Sequence, residues 1–456
     1  MRIKKEVRKI VASVLAFLMV VSLIPVNSLM TKANAASKTT FEGGKTVEDG
    51  TWKGWTWNVF GSSTDVTKAF ATDTGNGGVT LEVTGDKGKI NGSASDQGLN
   101  TFLYELDKSY DFTITAQAKV DTLAANAQAA FGLTIRDNVG AHGNTAKLTA
   151  DKNNFAFVGG YGNQAASGHG NAGYKTTALA HTRLGESPEV GGTYDLAIQK
   201  VGDSVKLYFN GEVAAECSAD DLITDNAMYV GLFAARNAKV TFNNVKLAYT
   251  QDSSSVKVTT NVTAPKKTTY CAGNTYEDVD LTGFKATVSV DGKEREITAA
   301  DCVVDMSSKP FSEVTEAGKL NLLYLGQVIE VPITVIKEVV SDMYIEYMPV
   351  KTDYMVTDTA LDFTGLVGKV VYNSGRTFDL KTLIDNKNAN TTVSDVDFTT
   401  AGDKEVTISH TYGDVTKDVI IPINVSDATV KNITITNPNT TRFYTCLLYT
   451  SDAADE

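Results

Sequence analysis

The feature that most constrains this chain is an alternation of apolar and polar side chains that recurs in short segments across residues 41–249. Val205–Phe209 is one such segment, and turns rich in Gly, Asn and Asp separate the segments. A period of two places one face of a strand in a core and the other in solvent. Asn210-Gly211, between two segments, is typical of a type I′ hairpin. Because no convincing helical stretch occurs, the pattern predicts one large sandwich of two sheets across residues 36–250.

An internal repeat follows the polar linker at residues 251–255. Four landmarks recur in the same order with variable spacing, which indicates two copies of one fold with loop insertions. Each copy is short and all strand, so we predict small Ig-like sandwiches at residues 256–338 and 340–426. Residues 428–445 are expected to open a third copy. The landmarks are Tyr270, Asp280, Thr315 and Pro332 in the first copy, and Tyr354, Asp362, Thr399 and Pro422 in the second.

Residues 1–35 have the pattern of a secretory signal peptide. A basic head precedes a largely apolar run at residues 10–26, and Ala33-Asn34-Ala35 provides the small residues of a cleavage site. A membrane anchor is the alternative, but Pro25 and the cleavage site favour removal of the segment. The sequence therefore predicts an exported protein of a Gram-positive bacterium, secreted or on the cell surface, with no membrane insertion after cleavage.

The last segment, residues 446–456, resembles a translated sequencing adapter more than a protein tail. It interrupts the third repeat soon after that repeat begins. We therefore expect that these residues are not biological and that the natural protein is longer.

Charge and cysteine content exclude two classes of protein. The chain has 42 Lys and Arg against 54 Asp and Glu, a net charge of −12, whereas a nucleic-acid-binding protein needs a basic face. Four Cys in 456 residues exclude a disulfide-dense scaffold. Cys271 and Cys302 lie in the same predicted Ig-like unit, so a disulfide between them is compatible with export. Cys217 is then expected to be a small buried apolar residue. Separately, we expect the protein to be a monomer.

The sequence lacks the common catalytic signatures. The nearest match to the paired carboxylates of a retaining glycoside hydrolase is Glu105-Leu106-Asp107, which is not followed by the second Glu of that pattern. No G-x-S-x-G, H-E-x-x-H or C-x-x-C motif occurs, and the four His are not spaced as metal ligands. The chain as it stands is therefore expected to be non-catalytic and to use no cofactor.

Four segments of the large sandwich resemble a concanavalin A-like, LamG-like jelly-roll module. They are Trp55–Gly61, Gly88–Ile90, Phe131–Asp137 and Val230–Phe233. Such modules stand near the start of secreted polysaccharide-degrading enzymes of Gram-positive bacteria, including pectate lyases. The two repeats resemble the group 3 bacterial Ig-like family, which is typical of surface proteins. The resemblance implies an all-β chain, with a jelly-roll β-sandwich followed by tandem Ig-like β-sandwiches.

Candidate carbohydrate-binding residues are aromatic or polar residues of the large sandwich. Sugar rings stack their C–H faces on flat aromatics, while amides and charged groups bind the hydroxyls. Trp55 and Trp57 share a face if they share a strand, although core packing is the competing interpretation for all three Trp. The Gly- and Tyr-rich loop at residues 159–174 is suited to binding, or is a solvated insertion. Arg136 and the two polar residues after it are suited to supply polar groups or part of a structural calcium site. The predicted binding residues are Trp52, Trp55, Trp57, Arg136, Tyr161 and Tyr174.

Together these observations predict a secreted surface protein whose jelly roll binds a polysaccharide or other glycan reversibly. The Ig-like units would act as spacers, and linkage to another domain would strengthen binding through effective concentration. Two alternatives stay open at this point. One is the N-terminal part of a polysaccharide lyase or glycoside hydrolase whose catalytic domain is missing, and the other is a surface adhesin that binds a protein.

Overall fold

The computed structural model describes residues 39–62, 64–90, 97–149, 153–162, 170–185, 188–429 and 432–434. The described residues fold almost entirely as β-strands arranged in sandwiches, which confirms the predicted all-β class. The predicted signal peptide, most of the predicted third repeat and the tail at residues 446–456 lie outside the described residues.

Two seven-stranded antiparallel sheets form the large sandwich. Its strands are β1 (Trp55–Phe60), β2 (Ala69–Asp73), β3 (Val79–Val83), β4 (Leu99–Asp107), β5 (Asp111–Leu123), β6 (Ala130–Arg136), β7 (Phe155–Tyr161), β8 (Ala172–Lys175), β9 (Leu179–Thr182), β10 (Thr193–Val201), β11 (Ser204–Phe209), β12 (Glu212–Ser218), β13 (Ala227–Ala235) and β14 (Ala238–Thr250), with the short helix α1 (Ala219–Leu222) after β12. The first sheet has the order β1-β4-β13-β6-β7-β8-β9, and the second has the order β12-β11-β10-β5-β14-β3-β2. Many neighbouring strands are not consecutive in the chain, as in a jelly roll, which confirms the predicted architecture of this part.

The middle of the first sheet is buried on both faces. Its inner face packs on the second sheet, and β1 shows the expected alternation, because Trp55, Trp57 and Val59 are buried while the residues between them are half-buried. Its outer face carries a separate apolar cluster that includes Phe157 and Phe233. A strand buried on both faces has no clear period of two, and β6 and β7 are buried at every position.

Two small sandwiches follow, each built from a three-stranded and a four-stranded sheet. The first contains β15 (Lys257–Thr263), β16 (Thr269–Cys271), β17 (Lys285–Val290), β18 (Lys293–Thr298), β19 (Val303–Asp305), β20 (Thr315–Tyr324) and β21 (Gln327–Ile336). The second contains β22 (Val340–Tyr347), β23 (Asp353–Met355), β24 (Val367–Tyr372), β25 (Thr377–Asp379), α2 (Leu380–Asp385), β26 (Thr391–Val393), β27 (Gly402–Tyr412) and β28 (Val415–Ser426). Their sheet orders match strand for strand: β15-β17-β18 and β16-β21-β20-β19 in one, β22-β24-β25 and β23-β28-β27-β26 in the other.

The landmark tyrosines of the repeat have the same role in both small sandwiches. The Tyr270 hydroxyl accepts a hydrogen bond from the Asp280 amide at 3.3 Å, and the Tyr354 hydroxyl accepts one from the Asp362 amide at 3.0 Å. Each tyrosine lies in a short strand that pairs in parallel with the last strand of its sandwich. The repeated letters of the sequence therefore mark a repeated contact, and assignment of the repeats to the bacterial Ig-like family stays a prediction.

The first small sandwich and the large sandwich belong to one compact unit that ends at Ile336, and the second small sandwich belongs to another. Several hydrogen bonds join the first two sandwiches. Thr115 Oγ1 donates to the Ala300 carbonyl at 2.6 Å, and the Leu325 amide donates to Thr113 Oγ1 at 3.0 Å. The Met306 amide donates to the carbonyl of Gly211 at 3.0 Å. The first repeat thus covers part of the outer face of the second sheet.

Cys271 and Cys302 do not form the predicted disulfide in this structure, because both are thiols. Cys271 lies in β16, whereas Cys302 directly precedes β19, at the opposite edge of the same sheet. Strands are about 4.8 Å apart, so two intervening strands put the residues well beyond the roughly 4.4–6.8 Å between Cα atoms that a disulfide needs. The Cys302 thiol donates instead to the Thr298 carbonyl, with a sulfur–oxygen distance of 3.6 Å.

Candidate functional site

The three tryptophans lie in the core of the large sandwich. Trp52, Trp55 and Trp57 are only 4%, 5% and 8% exposed. The Trp55 ring stacks on Phe102, with 5.2 Å between ring centroids and 17° between planes. Trp57 Nε1 donates to Asn100 Oδ1 at 2.7 Å. Their ring faces are covered by protein, so these side chains do not offer a surface on which a sugar could stack, and the core interpretation replaces the predicted one.

The other predicted binding residues are divided between the two faces of the first sheet. Tyr174 is half-buried against the inner core. Arg136 and Tyr161 belong to the outer face, where Tyr161 joins the outer apolar cluster. The outer face therefore carries two of the six predicted residues, at opposite ends of the β6–β7 pair. We define the outer-face site as a cross-strand row and three polar residues beside it. The row is Glu105, Tyr229, Arg136, Phe155 and Lys175, and the residues beside it are Asp137, Asn153 and Asn154.

Arg136 is fully buried in the outer-face site. Its guanidinium lies over the rings of Phe60 and Phe155, at 5.6 and 5.0 Å from their centroids. Its Nη2 donates to Asn153 Oδ1 at 2.9 Å and its Nε to the Asn138 carbonyl at 3.2 Å. Burial lowers the pKa of Arg136 to about 10, so the side chain stays charged at neutral pH. Arg136 therefore positions the segment around Asn153 and cannot itself contact a large ligand in this conformation.

Three buried polar atoms near Arg136 have no hydrogen-bond partner among the described residues: Arg136 Nη1, Asn153 Nδ2 and Asn154 Oδ1. Buried polar groups left unpaired cost about 1–3 kcal/mol each, so native proteins satisfy nearly all of them, often with water. The site thus has unused donors and an unused acceptor of the type that a bound water or a ligand hydroxyl satisfies.

Asp137 supplies a buried carboxyl beside Arg136. Burial raises the pKa of Asp137 to about 6, although the nearby Arg136 charge opposes this shift. The Asn154 amide donates to Asp137 Oδ1 at 3.0 Å, and the Thr224 hydroxyl donates to Oδ2 at 3.3 Å. Lys175, at the other end of the row, has a pKa lowered first by burial. The site therefore combines two buried cations with two carboxyl groups, of which Asp137 is buried and Glu105 is exposed.

Tyr229 and Glu105 form the accessible end of the row. Glu105 is exposed, and Tyr229 is half-buried between Glu105 and Arg136 in the strand register. The pKa of Tyr229 is raised by burial first and then by the negative charges of Glu105 and Asp225, so its hydroxyl is neutral and able to donate. A half-buried tyrosine with a neutral hydroxyl is suited to contact a sugar ring and its hydroxyls.

A second aromatic group lies on the same face. The Tyr161 ring stacks on His181, with 5.1 Å between centroids and 16° between planes, and His181 is exposed. Between this group and the Arg136 row, Gly132 pairs directly with Gly159. A Cβ on Gly132 would lie 1.9 Å from the Val158 carbonyl oxygen, and one on Gly159 would lie 2.2 Å from the Phe131 oxygen. Glycine is required at both positions, because any side chain there would clash with the neighbouring strand.

No group of three or more His, Cys, Asp or Glu suited to hold a metal ion occurs among the described residues. The predicted calcium site near Arg136 stays a prediction. Within the same described ranges, no helix has the length and apolar character needed to cross a membrane.

Sequence reasoning missed Lys175, Tyr229 and the Asn153–Asn154 pair. Lys175 and Tyr229 share a row with Arg136 only through pairing across β13, β6, β7 and β8, and no local pattern reveals that register. The Asn pair directly precedes β7. Two polar residues just before a continuous apolar strand were the local pattern that could have indicated a polar site there.

Comparison with known proteins gives one sequence relative. No protein-family profile matches the chain. Pectate lyase L of Thermoclostridium stercorarium is 27% identical over 399 residues, which is 86% of this chain and 30% of that protein. The chain therefore spans less than a third of that relative's length. An alignment of 399 residues is longer than the large sandwich, so the similarity includes at least part of the small sandwiches.

Solved structures similar to part of the chain include three proteins. Carbohydrate-binding module CBM66 from Bacillus subtilis is 18% identical, with 45% of this chain and 98% of that chain covered and a TM-score of 0.26. Lectin II from Ulex europaeus is 9% identical, with 46% and 98% covered and a TM-score of 0.28. The alginate lyase from Corynebacterium sp. is 11% identical, with 38% and 77% covered and a TM-score of 0.27.

Proposed function

We propose that this chain binds polysaccharide outside the cell, through the outer face of the first sheet of its large sandwich, and that it belongs to a longer polysaccharide-degrading protein. The observation that carries the proposal is the alignment with pectate lyase L, which extends over 86% of this chain but over 30% of that protein. A shared segment of this extent supports a shared role within a longer protein. The ligand is a glycan, and the chain acts as an exported monomer.

The outer-face site supports binding by its chemistry. Tyr229 offers a partly open ring and a hydroxyl donor, and Glu105 offers an exposed carboxylate beside it. Amides and carboxylates recognise sugar hydroxyls, while ring faces recognise C–H surfaces. Arg136 fixes the floor behind these residues. The mechanism is reversible binding, with the small sandwiches as spacers, and no bond is broken by these residues.

The test is glycan binding by the whole chain. Isothermal titration with a panel of soluble plant polysaccharides, including polygalacturonate, should detect at least one ligand, and Tyr229→Ala should weaken that binding at least five-fold. Phe70→Ala is a matched control, because Phe70 is an exposed aromatic residue of the second sheet. Equal loss in both variants, or no binding to any member of the panel, would refute the proposed role of the outer face.

The non-catalytic part of the proposal has its own measurement. Incubation of the chain with polygalacturonate should produce no unsaturated oligosaccharides, which absorb ultraviolet light, and no new reducing ends. If products form and Tyr229→Ala abolishes their formation, the outer-face site is an active site and the non-catalytic proposal is wrong.

A further inference from the structure

A cleft separates the large sandwich from the first small sandwich within their common compact unit. We call it the junction cleft, and its volume is about 450 Å³. Pockets that bind small molecules in proteins range from about 300 to 1,000 Å³ and often lie between domains. The junction cleft lies on the second sheet, whereas the outer-face site lies on the first, so the two are separate sites.

Polar groups of the cleft come from both sandwiches. The large sandwich contributes Gln117, Asp195 and Asn244, and the small sandwich contributes Tyr276, Asp280 and Thr282. Apolar surface comes from Val279 and Leu281, among others. No Lys or Arg lines the cleft in the described part of the chain. The cleft therefore combines hydroxyl-binding groups with apolar walls, and its only charges are negative.

Asp195 is held in place by both sandwiches. Its Oδ1 accepts a hydrogen bond from Gln117 Nε2 at 3.2 Å, and its Oδ2 accepts one from the Tyr276 hydroxyl at 3.0 Å. Each carboxylate oxygen has a second lone pair, so both can accept another hydrogen bond from a ligand. Burial, followed by the charge of Asp195, raises the pKa of Tyr276 far above its ordinary value, so its hydroxyl remains a donor. Docking of the two sandwiches thus orients this carboxylate before any ligand arrives.

Asp280 provides a second oriented carboxylate at the exposed side of the cleft. Its Oδ1 accepts a hydrogen bond from the Thr282 amide at 2.9 Å. Hydrogen bonds from Thr282 hold the pKa of Asp280 below its ordinary value, so it is ionised at neutral pH. Two carboxylates in one cleft repel an anionic ligand and favour a neutral, hydroxyl-rich one. Within the described ranges, the cleft holds no group of three or more His, Cys, Asp or Glu suited to a metal ion.

We propose that the junction cleft binds a neutral saccharide of one or two sugar residues, with Asp195 and Asp280 accepting hydroxyl hydrogen bonds and Val279 and Leu281 packing on the ring. This site does not depend on the outer-face site. It assigns the first small sandwich a direct share in ligand binding, in addition to its role as a spacer.

The experiment titrates the whole chain with the neutral disaccharides galactobiose, cellobiose and xylobiose. It also uses digalacturonate, in which a carboxylate replaces the hydroxymethyl group of each galactose ring. At least one neutral disaccharide should bind, and digalacturonate should bind at least five-fold more weakly than galactobiose. Thr282→Trp should weaken the neutral disaccharide at least five-fold by filling the mouth of the cleft, because position 282 is exposed and lines the cleft.

The second small sandwich provides the matched control. Thr364 occupies the equivalent position, and its amide donates to Asp362 at 2.9 Å, but it does not line the junction cleft. Thr364→Trp should leave disaccharide binding unchanged within two-fold. The proposal is overturned if no neutral disaccharide binds, if digalacturonate binds as well as galactobiose, or if Thr364→Trp weakens binding as much as Thr282→Trp. Loss on Tyr229→Ala alone would place the disaccharide at the outer face.

Discussion

Replacing Trp55 by Ala separates a core role from a binding role. Trp55 is 5% exposed, stacks on Phe102, and makes edge contacts to Trp52 at 5.7 Å and Tyr104 at 6.0 Å between centroids. Truncation of a buried Trp to Ala costs about 3–5 kcal/mol, and each aromatic pair contributes about 0.5–1.5 kcal/mol of specific contact. We therefore expect the free energy of unfolding of the large sandwich to fall by about 4 kcal/mol.

The assay is urea unfolding followed by tryptophan fluorescence. All three Trp of the chain lie in the large sandwich, so Trp52 and Trp57 still report its unfolding in the variant. With a urea dependence of about 2 kcal/mol per molar, the midpoint should fall by about 2 M. Phe70→Ala, at a 39% exposed position, should cost less than about 1 kcal/mol. If Trp55→Ala unfolds at the same urea midpoint as Phe70→Ala but no longer binds glycan, the assignment of Trp55 to the core is refuted.

Two further predictions concern pH and the junction between sandwiches. The pKa of Asp137 is raised by burial from 3.8 to about 6, so its contribution to stability is complete below pH 4 and is lost as pH rises to 6. Asp137→Asn removes this loss. The free energy of unfolding of the variant, measured by urea titration relative to wild type, should therefore rise by up to about 3 kcal/mol between pH 4 and 7. If the difference in free energy between the two proteins does not change with pH, the assignment is contradicted. Gly211→Ala would place a Cβ 2.6 Å from the Val304 carbonyl oxygen and 2.7 Å from Met306 Cγ. This substitution should speed hydrogen exchange of the Met306 amide and destabilise the unit by at least about 1 kcal/mol more than Gly202→Ala. Gly202 is a suitable control because it has the same left-handed backbone but open space around it. Equal effects of the two substitutions would mean that the contact between Gly211 and the first small sandwich is unimportant.

The strands and the repeat could be predicted because they leave local or periodic traces. Alternation in β1 predicts a half-buried strand, and Tyr270 and Tyr354 mark equivalent contacts. The role of the tryptophans could not be decided by periodicity, since alternation shows that Trp55 and Trp57 share a face but not which face. In this sandwich the middle strands of the first sheet are buried on both faces, so an aromatic residue near the middle of either face is covered.

The composition of the sites depends on long-range register that the sequence does not display. Arg136 could be selected as a polar residue at the end of an apolar strand, but its neighbours Lys175 and Tyr229 are set by strand order. The junction cleft is harder still, because Asp195 and Tyr276 belong to segments that the repeat pattern assigns to different domains. Docking of the first small sandwich on the large one leaves no periodic signal.

Titration of the whole chain with soluble polysaccharides, with and without the Tyr229→Ala substitution, decides whether the outer face of the large sandwich binds polysaccharide. At least one polysaccharide should bind measurably, at least five-fold more weakly to Tyr229→Ala and equally well to Phe70→Ala, with urea midpoints of the three proteins within about 0.5 M of one another. Binding that survives Tyr229→Ala at full strength, or that falls equally in the Phe70→Ala control, would contradict binding at the outer face.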